Sequence, residues 1–265
     1  MRAKVITINN RKGGVGKTSI TLGVGTTLAK KGYRTLLIDL ESQNNLTTGC
    51  LSQDVVNDKS PILFDTIHAW ATDNTQSEWY RSLPRITLTD HLAILPSSRR
   101  MAGIEVVLTK FPDPLDVIPS LIRCIRGSFD YILLDCPPTS GLITLNAYMA
   151  SDFIYVPALL EDDSLAGVID VAKDLKTYIN KRRPDLRISG IILNQYNLRA
   201  LLRQSVRRNF DACFPGLVMD TVIHQSIVVG EAKRAHKGVL DYAPRSTIAE
   251  DYEKLTEEML AKMPD

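Results

Sequence analysis

Asn10-Arg11-Lys12-Gly13-Gly14-Val15-Gly16-Lys17-Thr18-Ser19 is the stretch on which the fold turns. It follows a β-branched run, Val5-Ile6-Thr7-Ile8, and precedes a long amphipathic segment, so it joins a strand to a helix. Glycines at 13, 14 and 16 let backbone N–H groups converge on phosphate oxygens without obstruction by a Cβ. A helix opening near Lys17 adds the partial positive charge of its N-terminus. The pattern predicts a phosphate loop in which Gly13, Gly14, Val15, Gly16, Lys17, Thr18 and Ser19 surround the phosphates of a nucleotide. Lys17 is expected on the β- and γ-phosphates, and the Thr18 hydroxyl on Mg²⁺.

Outward from the loop, apolar runs alternate with amphipathic stretches. Candidate strands are Lys4–Asn9, Thr35–Leu40, Leu92–Leu95, Tyr131–Asp135, Asp152–Pro157, Ile188–Asn194 and Val218–Ile223. Candidate helices are Lys17–Lys31, Asp116–Arg126, Thr144–Ala150, Ser164–Arg182, Ala200–Phe210 and Thr247–Lys262. Strands alternating with helices predict an α/β fold, doubly wound, with a mostly parallel sheet flanked by helices. Ser52–Trp79 is polar, poor in strand signals and carries both tryptophans, and reads as a helical or looped excursion at 52–79. No repeat, low-complexity tract or Pro/Gly-rich linker divides residues 1–265, which points to a single domain.

Two strands end in carboxylates. Leu36-Leu37-Ile38-Asp39-Leu40-Glu41-Ser42-Gln43-Asn44-Asn45 brings Asp39 and Glu41 to the end of one strand, and Tyr131-Ile132-Leu133-Leu134-Asp135-Cys136-Pro137-Pro138 brings Asp135 to the end of another. A buried strand fixes a carboxylate rigidly enough to hold a Mg²⁺-bound water. Pro137-Pro138 cannot continue the strand, so the chain turns there.

Lys12-Gly13-Gly14-Val15-Gly16-Lys17-Thr18 resembles the deviant Walker A motif of the ParA/MinD family, with Arg11 where an ordinary phosphate loop has its first glycine. The resemblance extends over nearly the whole chain. The Asp39–Asn45 run is similar to the family's D-x-D-P-Q-G-N motif and Asp135-Cys136-Pro137-Pro138 to its Walker B segment. Leu95-Pro96-Ser97-Ser98, Pro157 with Glu161, Ser164, Leu165 and Gly167, and Glu231-Ala232 with Gly238 follow weaker family patterns.

What the resemblance implies is a P-loop ATPase that binds ATP and Mg²⁺ and dimerises around them, with slow, partner-stimulated hydrolysis. Lys12 reaches the phosphates of the partner's nucleotide, as an arginine finger does. Asp39, Thr18 and Asp135 lie by the metal, and Glu41 falls where the family has an aspartate that activates water. Glu41 keeps the carboxylate but is one methylene longer, while Ser42 replaces proline and Asn44 replaces glycine. Asn194 sits where related proteins read the adenine edge; an ordinary strand-end cap is the alternative for it.

Between residues 199 and 237 the basic residues include Arg199, Arg203, Arg207, Arg208, Lys233, Arg234 and Lys237, against Asp211, Asp220 and Glu231. Arg199, Arg203 and Arg207 recur every four residues and form one helical stripe, with Leu198, Leu202, Val206 and Phe210 as its anchoring face. Such a stripe suits sequence-independent phosphate contacts. In ParA proteins this C-terminal surface binds nonspecific DNA, and Arg199 matches one of its arginines, whereas Val228 occupies another usually basic place. Arg203, Arg207, Lys233 and Arg234 are the further candidates. A solvated charged face is the alternative.

The implied role is segregation or positioning of plasmid or chromosome DNA or another cargo, with a ParB-like or other cargo-adaptor protein as partner. A MinD-like membrane-associated positioning ATPase and a metabolic P-loop enzyme are the alternatives. The end of the chain, Glu250-Asp251-Tyr252-Glu253 and onward to Glu257-Glu258, is acidic and unsuited to anionic lipid. A hydrophobic fraction of 44% and a charged fraction of 23% are those of a soluble globule. The N-terminal apolar run is too short for a signal peptide, which predicts a cytoplasmic protein, and the resemblance implies association with the nucleoid. Four cysteines without a C-x-x-C pair exclude the spacing of an iron–sulfur carrier.

Overall fold

The computed structural model describes residues 2–52, 54–55, 60–72, 83–161, 164–196 and 202–264. Its framework is an eight-stranded sheet of β1 (Lys4–Ile8), β2 (Thr35–Asp39), β3 (Ile86–Thr89), β4 (Leu92–Leu95), β5 (Tyr131–Asp135), β6 (Phe153–Leu159), β7 (Ile188–Tyr196) and β8 (Val218–His224). The order across the sheet is β3-β4-β2-β5-β1-β6-β7-β8, parallel throughout except for the antiparallel edge pair β3–β4. The doubly wound expectation is therefore met, and β3 is the strand that the sequence reading missed. Its burial alternates in a short edge strand, so it lacks the continuous apolar run that marks the central ones.

Successive residues of the central strands are buried on opposite faces and divide the core between the two sides of the sheet. Val5, Leu36, Ile38, Ile132 and Leu134 face one cluster with α4 (Ile104–Leu108), α5 (Val117–Ile125) and α6 (Leu142–Ala150). Ile6, Ile8, Leu37 and Leu133 face the other, beneath α1 (Lys17–Lys30) and α11 (Thr247–Lys262). A third cluster lies where β6 and β7 meet α7 (Ser164–Asp174) and α8 (Leu202–Cys213). Within the 52–79 segment, α3 (Leu63–Thr72) buries Leu63 and Ile67 in the first cluster.

The helix expected over Ser164–Arg182 is α7 followed by a π-helical turn at Leu175–Ile179. Among the described residues four short helices escaped the sequence reading, each too brief to show a period: α2 (Asn45–Cys50), α4, α9 (Val228–Arg234) and α10 (Val239–Tyr242). No helix of the described residues is long and apolar enough to cross a membrane.

Candidate functional site

Parallel register gathers the functional residues at one edge of the sheet. Asp39 of β2 and Ile8 of β1 are both register partners of Asp135 on β5, so the phosphate loop leaves the sheet beside two carboxylates. Carboxyl ends of strands are where open α/β sheets bind ligands.

In the loop, Gly14 and Gly16 adopt φ of 75° and 90°, values that side chains resist. A Cβ on Gly13 or Gly14 would meet no atom within 4 Å, so both backbones face open space, as a phosphate cradle requires. Lys17, at 6% exposure, is buried behind this loop and donates to the Lys12 carbonyl at 3.4 Å. Burial lowers its ammonium pKa, opposed by attraction to Asp135 and Glu41. Asn10 anchors the loop from below: its Nδ2 donates to the Pro157 carbonyl at 2.7 Å and its Oδ1 accepts from the Lys12 amide at 2.9 Å.

Lys12 points elsewhere. Its Nζ pairs with Glu161 Oε2 at 2.8 Å and lies 3.4 Å from Ser164 Oγ, on the segment after β6. The two loop lysines thus serve separate places, one buried among carboxylates and one on the rim.

The carboxylates form a graded set. Thr18 Oγ1 donates to Asp135 Oδ2 at 2.7 Å, while the fully buried Asp135 Oδ1 has no hydrogen-bond partner among the described residues. Burial and the neighbouring Asp39 push the Asp135 carboxyl well above its usual range. Asp39 is pushed up to about 6, chiefly by burial. Half-buried Glu41 is also raised by burial, with Lys17 and Lys233 pulling the other way. The acceptor left over on Asp135, beside the Thr18 hydroxyl, fits a divalent cation. Among the described residues no trio of His, Cys, Asp or Glu could cage a metal unaided. That matches Mg²⁺, which binds through one or two protein groups plus phosphate and water.

Asp39, expected on the metal side, is hydrogen-bonded within its own chain. Its Oδ1 accepts from the Glu41 amide at 3.1 Å, and its Oδ2 from both the Thr47 amide at 2.9 Å and the Thr47 hydroxyl at 2.7 Å. With both oxygens occupied, Asp39 frames the turn that carries Glu41. Ser97 completes the frame, its amide donating to Thr47 Oγ1 at 2.9 Å and its hydroxyl to the Glu41 carbonyl at 2.7 Å. Sequence reasoning gave Thr47 and Ser97 no such role; Thr47 lies eight residues after Asp39, and no local spacing announces the contact. The replacement of glycine by Asn44 is explained by its φ of 47°, a left-handed value that asparagine tolerates.

Asn194 lies two residues before the end of β7, beneath the loop, where its Nδ2 donates to the Val15 carbonyl at 2.7 Å. It also lines a cavity of about 260 Å³ together with Gly16, Ser19, His224, Gln225 and Tyr252. Ser19 therefore sits between the phosphate loop and that cavity.

Arg199 lies outside the described residues, and Arg203 belongs to α8. Arg207 is occupied within the chain, 3.9 Å from Asp211 and 3.8 Å from Asp220. Lys233 donates to Asn45 Oδ1 at 2.8 Å, which puts its charge on the Glu41 side of the molecule. Arg234 is exposed on α9.

A threonine hydroxyl on a strand-end aspartate, with a buried loop lysine behind it, defines the P-loop nucleotide-binding class, and the second lysine ahead of the glycines places the molecule in its deviant Walker A branch. A family model described as an AAA domain matches residues 3–188. The sporulation initiation inhibitor protein Soj of Bacillus subtilis is 31% identical over 268 residues, spanning 97% of this chain and 98% of that protein. The chromosome partitioning protein ParA of Caulobacter vibrioides is 29% identical, spanning 99% and 96%. Among solved structures, cobyrinic acid a,c-diamide synthase of Mycobacterium smegmatis, determined with an ATP analogue and magnesium, superposes with a TM-score of 0.79 at 24% identity, covering 99% of this chain and 98% of that one. The chain belongs to the ParA/Soj family of ATPases.

Proposed function

We propose that this protein is an ATP-driven dimerising switch that binds DNA without sequence preference and moves or positions a DNA-linked cargo. The observation that carries the reading is the separation of Lys12 from Lys17. Lys17 is buried beside Asp135 and serves its own loop, whereas Lys12 stands on the rim, where a second protomer's triphosphate would meet it. A cation delivered only on assembly couples dimerisation to hydrolysis.

In this mechanism the glycine amides and Lys17 hold the triphosphate, and Gly13, Gly14, Val15, Gly16, Thr18 and Ser19 shape its seat. Thr18 and Asp135 would hold Mg²⁺, which neutralises phosphate charge when bound. Glu41, steadied by Asp39, Thr47 and Ser97, orients the attacking water and takes its proton. Catalysis of this kind is mostly placement, so the longer Glu41 side chain favours slow turnover that a ParB-like or other cargo-adaptor partner accelerates. Arg199, Arg203 and Arg234 are candidates for contacting DNA, with nucleoid association following from that contact.

Full-length similarity to Soj and ParA favours this reading over a metabolic enzyme, since the likeness to the cobyrinic acid enzyme concerns the fold alone. Against a membrane switch, α11 buries Ile248, Ala249, Tyr252, Leu255 and Met259 in the core, so its apolar face is already in use.

The test is light scattering with a non-hydrolysable ATP analogue and Mg²⁺, paired with a mobility shift on random-sequence DNA. A nucleotide-dependent dimer and a salt-sensitive, ATP-dependent shift are expected. A protein that stays monomeric sinks the switch.

A further inference from the structure

We propose that Asp174 is a positioning residue acting through Arg11. It keeps the first turn of the phosphate loop on α7 while Lys12 serves the partner. The assignment rests on the dimerising-switch reading above and deepens it.

Arg11 stands where an ordinary phosphate loop has its first glycine, and neither the glycine cradle nor the carboxylate cluster accounts for it. Its φ is not positive, so the position does not call for glycine. The side chain runs to Asp174, with Nη1 standing 3.8 Å from Oδ1. Asp174 is unexplained in the same way. It is the last residue of α7, only 4% exposed, and its Oδ2 is buried with no hydrogen-bond partner among the described residues. Burial raises its carboxyl above the usual range, and Arg11 is the cation that draws it back, against Asp170. A carboxylate buried this far stays charged only with a cation beside it. Each residue supplies what the other lacks.

Three consecutive loop residues are tied to the segment of β6 and α7. Asn10 Nδ2 donates to the Pro157 carbonyl, and a Cβ on Gly167 would come within 2.2 Å of Asn10 Oδ1, so α7 lies against the loop. Lys12 meets Glu161 and Ser164 at the start of α7, whereas Arg11 meets Asp174 at its end. The helix has 11 residues, which puts those contacts about 15 Å apart along it at 1.5 Å per residue. The two neighbouring side chains therefore part along α7, and one can leave while the other stays. Lys12 is paired with an exposed carboxylate, a weak hold. Arg11 is paired with a buried one, on a helix end set in the core by Leu175 and Ile179. When Lys12 turns to the partner's nucleotide, Arg11 and Asn10 keep the backbone it swings from in place.

The experiment compares wild type with Arg11→Gln, Arg11→Lys, Asp174→Asn and the double variant Arg11→Gln/Asp174→Asn. It measures kcat and KM for ATP hydrolysis, and monomer affinity for a non-hydrolysable ATP analogue with Mg²⁺. A misplacement of about 1 Å costs up to about a hundredfold in rate, so Arg11→Gln and Asp174→Asn should each lower kcat about tenfold. KM and analogue affinity should stay within about twofold, since Lys17 and the glycine amides are untouched. The double variant should be no worse than either single one, because both remove the same contact. Arg11→Lys should recover most of the rate, as the contact is one of charge at a distance too long for a hydrogen bond. The assignment is overturned if KM rises while kcat holds, or if Asp174→Asn changes only the Tm. Losses that add in the double variant, or an Arg11→Lys no better than Arg11→Gln, overturn it as well. Wild type that neither dimerises nor hydrolyses ATP overturns the switch reading, and the role of Asp174 with it. Wild type that does both, with variants that match it, overturns the role of Asp174 alone.

Discussion

Lys12 Nζ stands 2.8 Å from Glu161 Oε2, so the cation proposed to serve a neighbouring protomer is held by a carboxylate of its own chain. The pair is open to solvent, with side-chain exposures of 25% and 57%, and an exposed pair is worth about 1 kcal/mol or less. Glu161→Ala should therefore tighten nucleotide-dependent dimerisation by no more than about fivefold, measured by sedimentation at low salt, and the gain should shrink as salt rises. Lys12→Ala should leave nucleotide affinity within about threefold while removing the hydrolysis that depends on dimers. Loss of nucleotide binding in Lys12→Ala would instead place Lys12 in its own cradle.

The carboxylate cluster makes a pH prediction. Asp39 is pushed up to about 6, mainly by burial, and Asp135 well above its usual range by burial and then by Asp39. Both folded values exceed the unfolded ones of about 4, so the folded state holds protons that the unfolded chain releases. The stability they contribute is complete below about pH 4 and is lost as pH rises through about 6 and beyond. Without nucleotide, Asp135→Asn should raise the Tm at pH 8 by about 2–4 °C, the equivalent of roughly 1 kcal/mol in a chain of this size. The same substitution should abolish the extra stabilisation that Mg²⁺ gives to bound nucleotide. An unchanged Tm at pH 8 would show that the cluster is not strained.

Gly16 is predicted to be irreplaceable for two separable reasons. Its φ is 90°, and a Cβ there would come within 1.9 Å of Asn194 Nδ2. Gly16→Ala should therefore lower stability by about 1–3 kcal/mol and abolish nucleotide binding. Adding Asn194→Ala removes the clash but not the backbone strain, so chemical denaturation should show partial recovery only. Full recovery would mean that contact, not φ, decides the position.

How far the sequence reaches is clear from particular residues. Lys17, Thr18, Asp39 and Asp135 were legible because each stands at a strand or helix end whose apolar run or glycines mark it locally, and parallel register then brings the ends together. The boundaries of α11, Thr247–Lys262, were legible in full because sixteen residues carry several helical periods and a Ser246 cap that accepts from the Ala249 amide. Thr47 and Ser97 were not, since each owes its role to a partner distant in sequence. Lys233 shows the reverse. Its charge suggested DNA, but α9 was too short to be seen, and that helix carries it to Asn45.

Lys233 therefore makes the sharpest prediction about the site. Its Nζ donates to Asn45 Oδ1, on the first residue of α2, four positions after Glu41, and its charge draws the Glu41 carboxyl down against the effect of burial. The Glu41 carboxyl stands above its ordinary value, and loss of Lys233 should raise it further, leaving less of the carboxylate form that can accept a proton from water. In Lys233→Ala the acid limb of the kcat profile should accordingly move to higher pH, with kcat on that limb falling by no more than about fivefold and recovering at higher pH. Lys233→Arg, which keeps the charge, should hold the wild-type profile, and Glu41→Ala should remove the limb along with the activity. Binding to random-sequence DNA should change little in Lys233→Ala. If instead the DNA shift weakens and the pH profile stays put, Lys233 works at a nucleic-acid surface, and its contact with Asn45 has no bearing on hydrolysis.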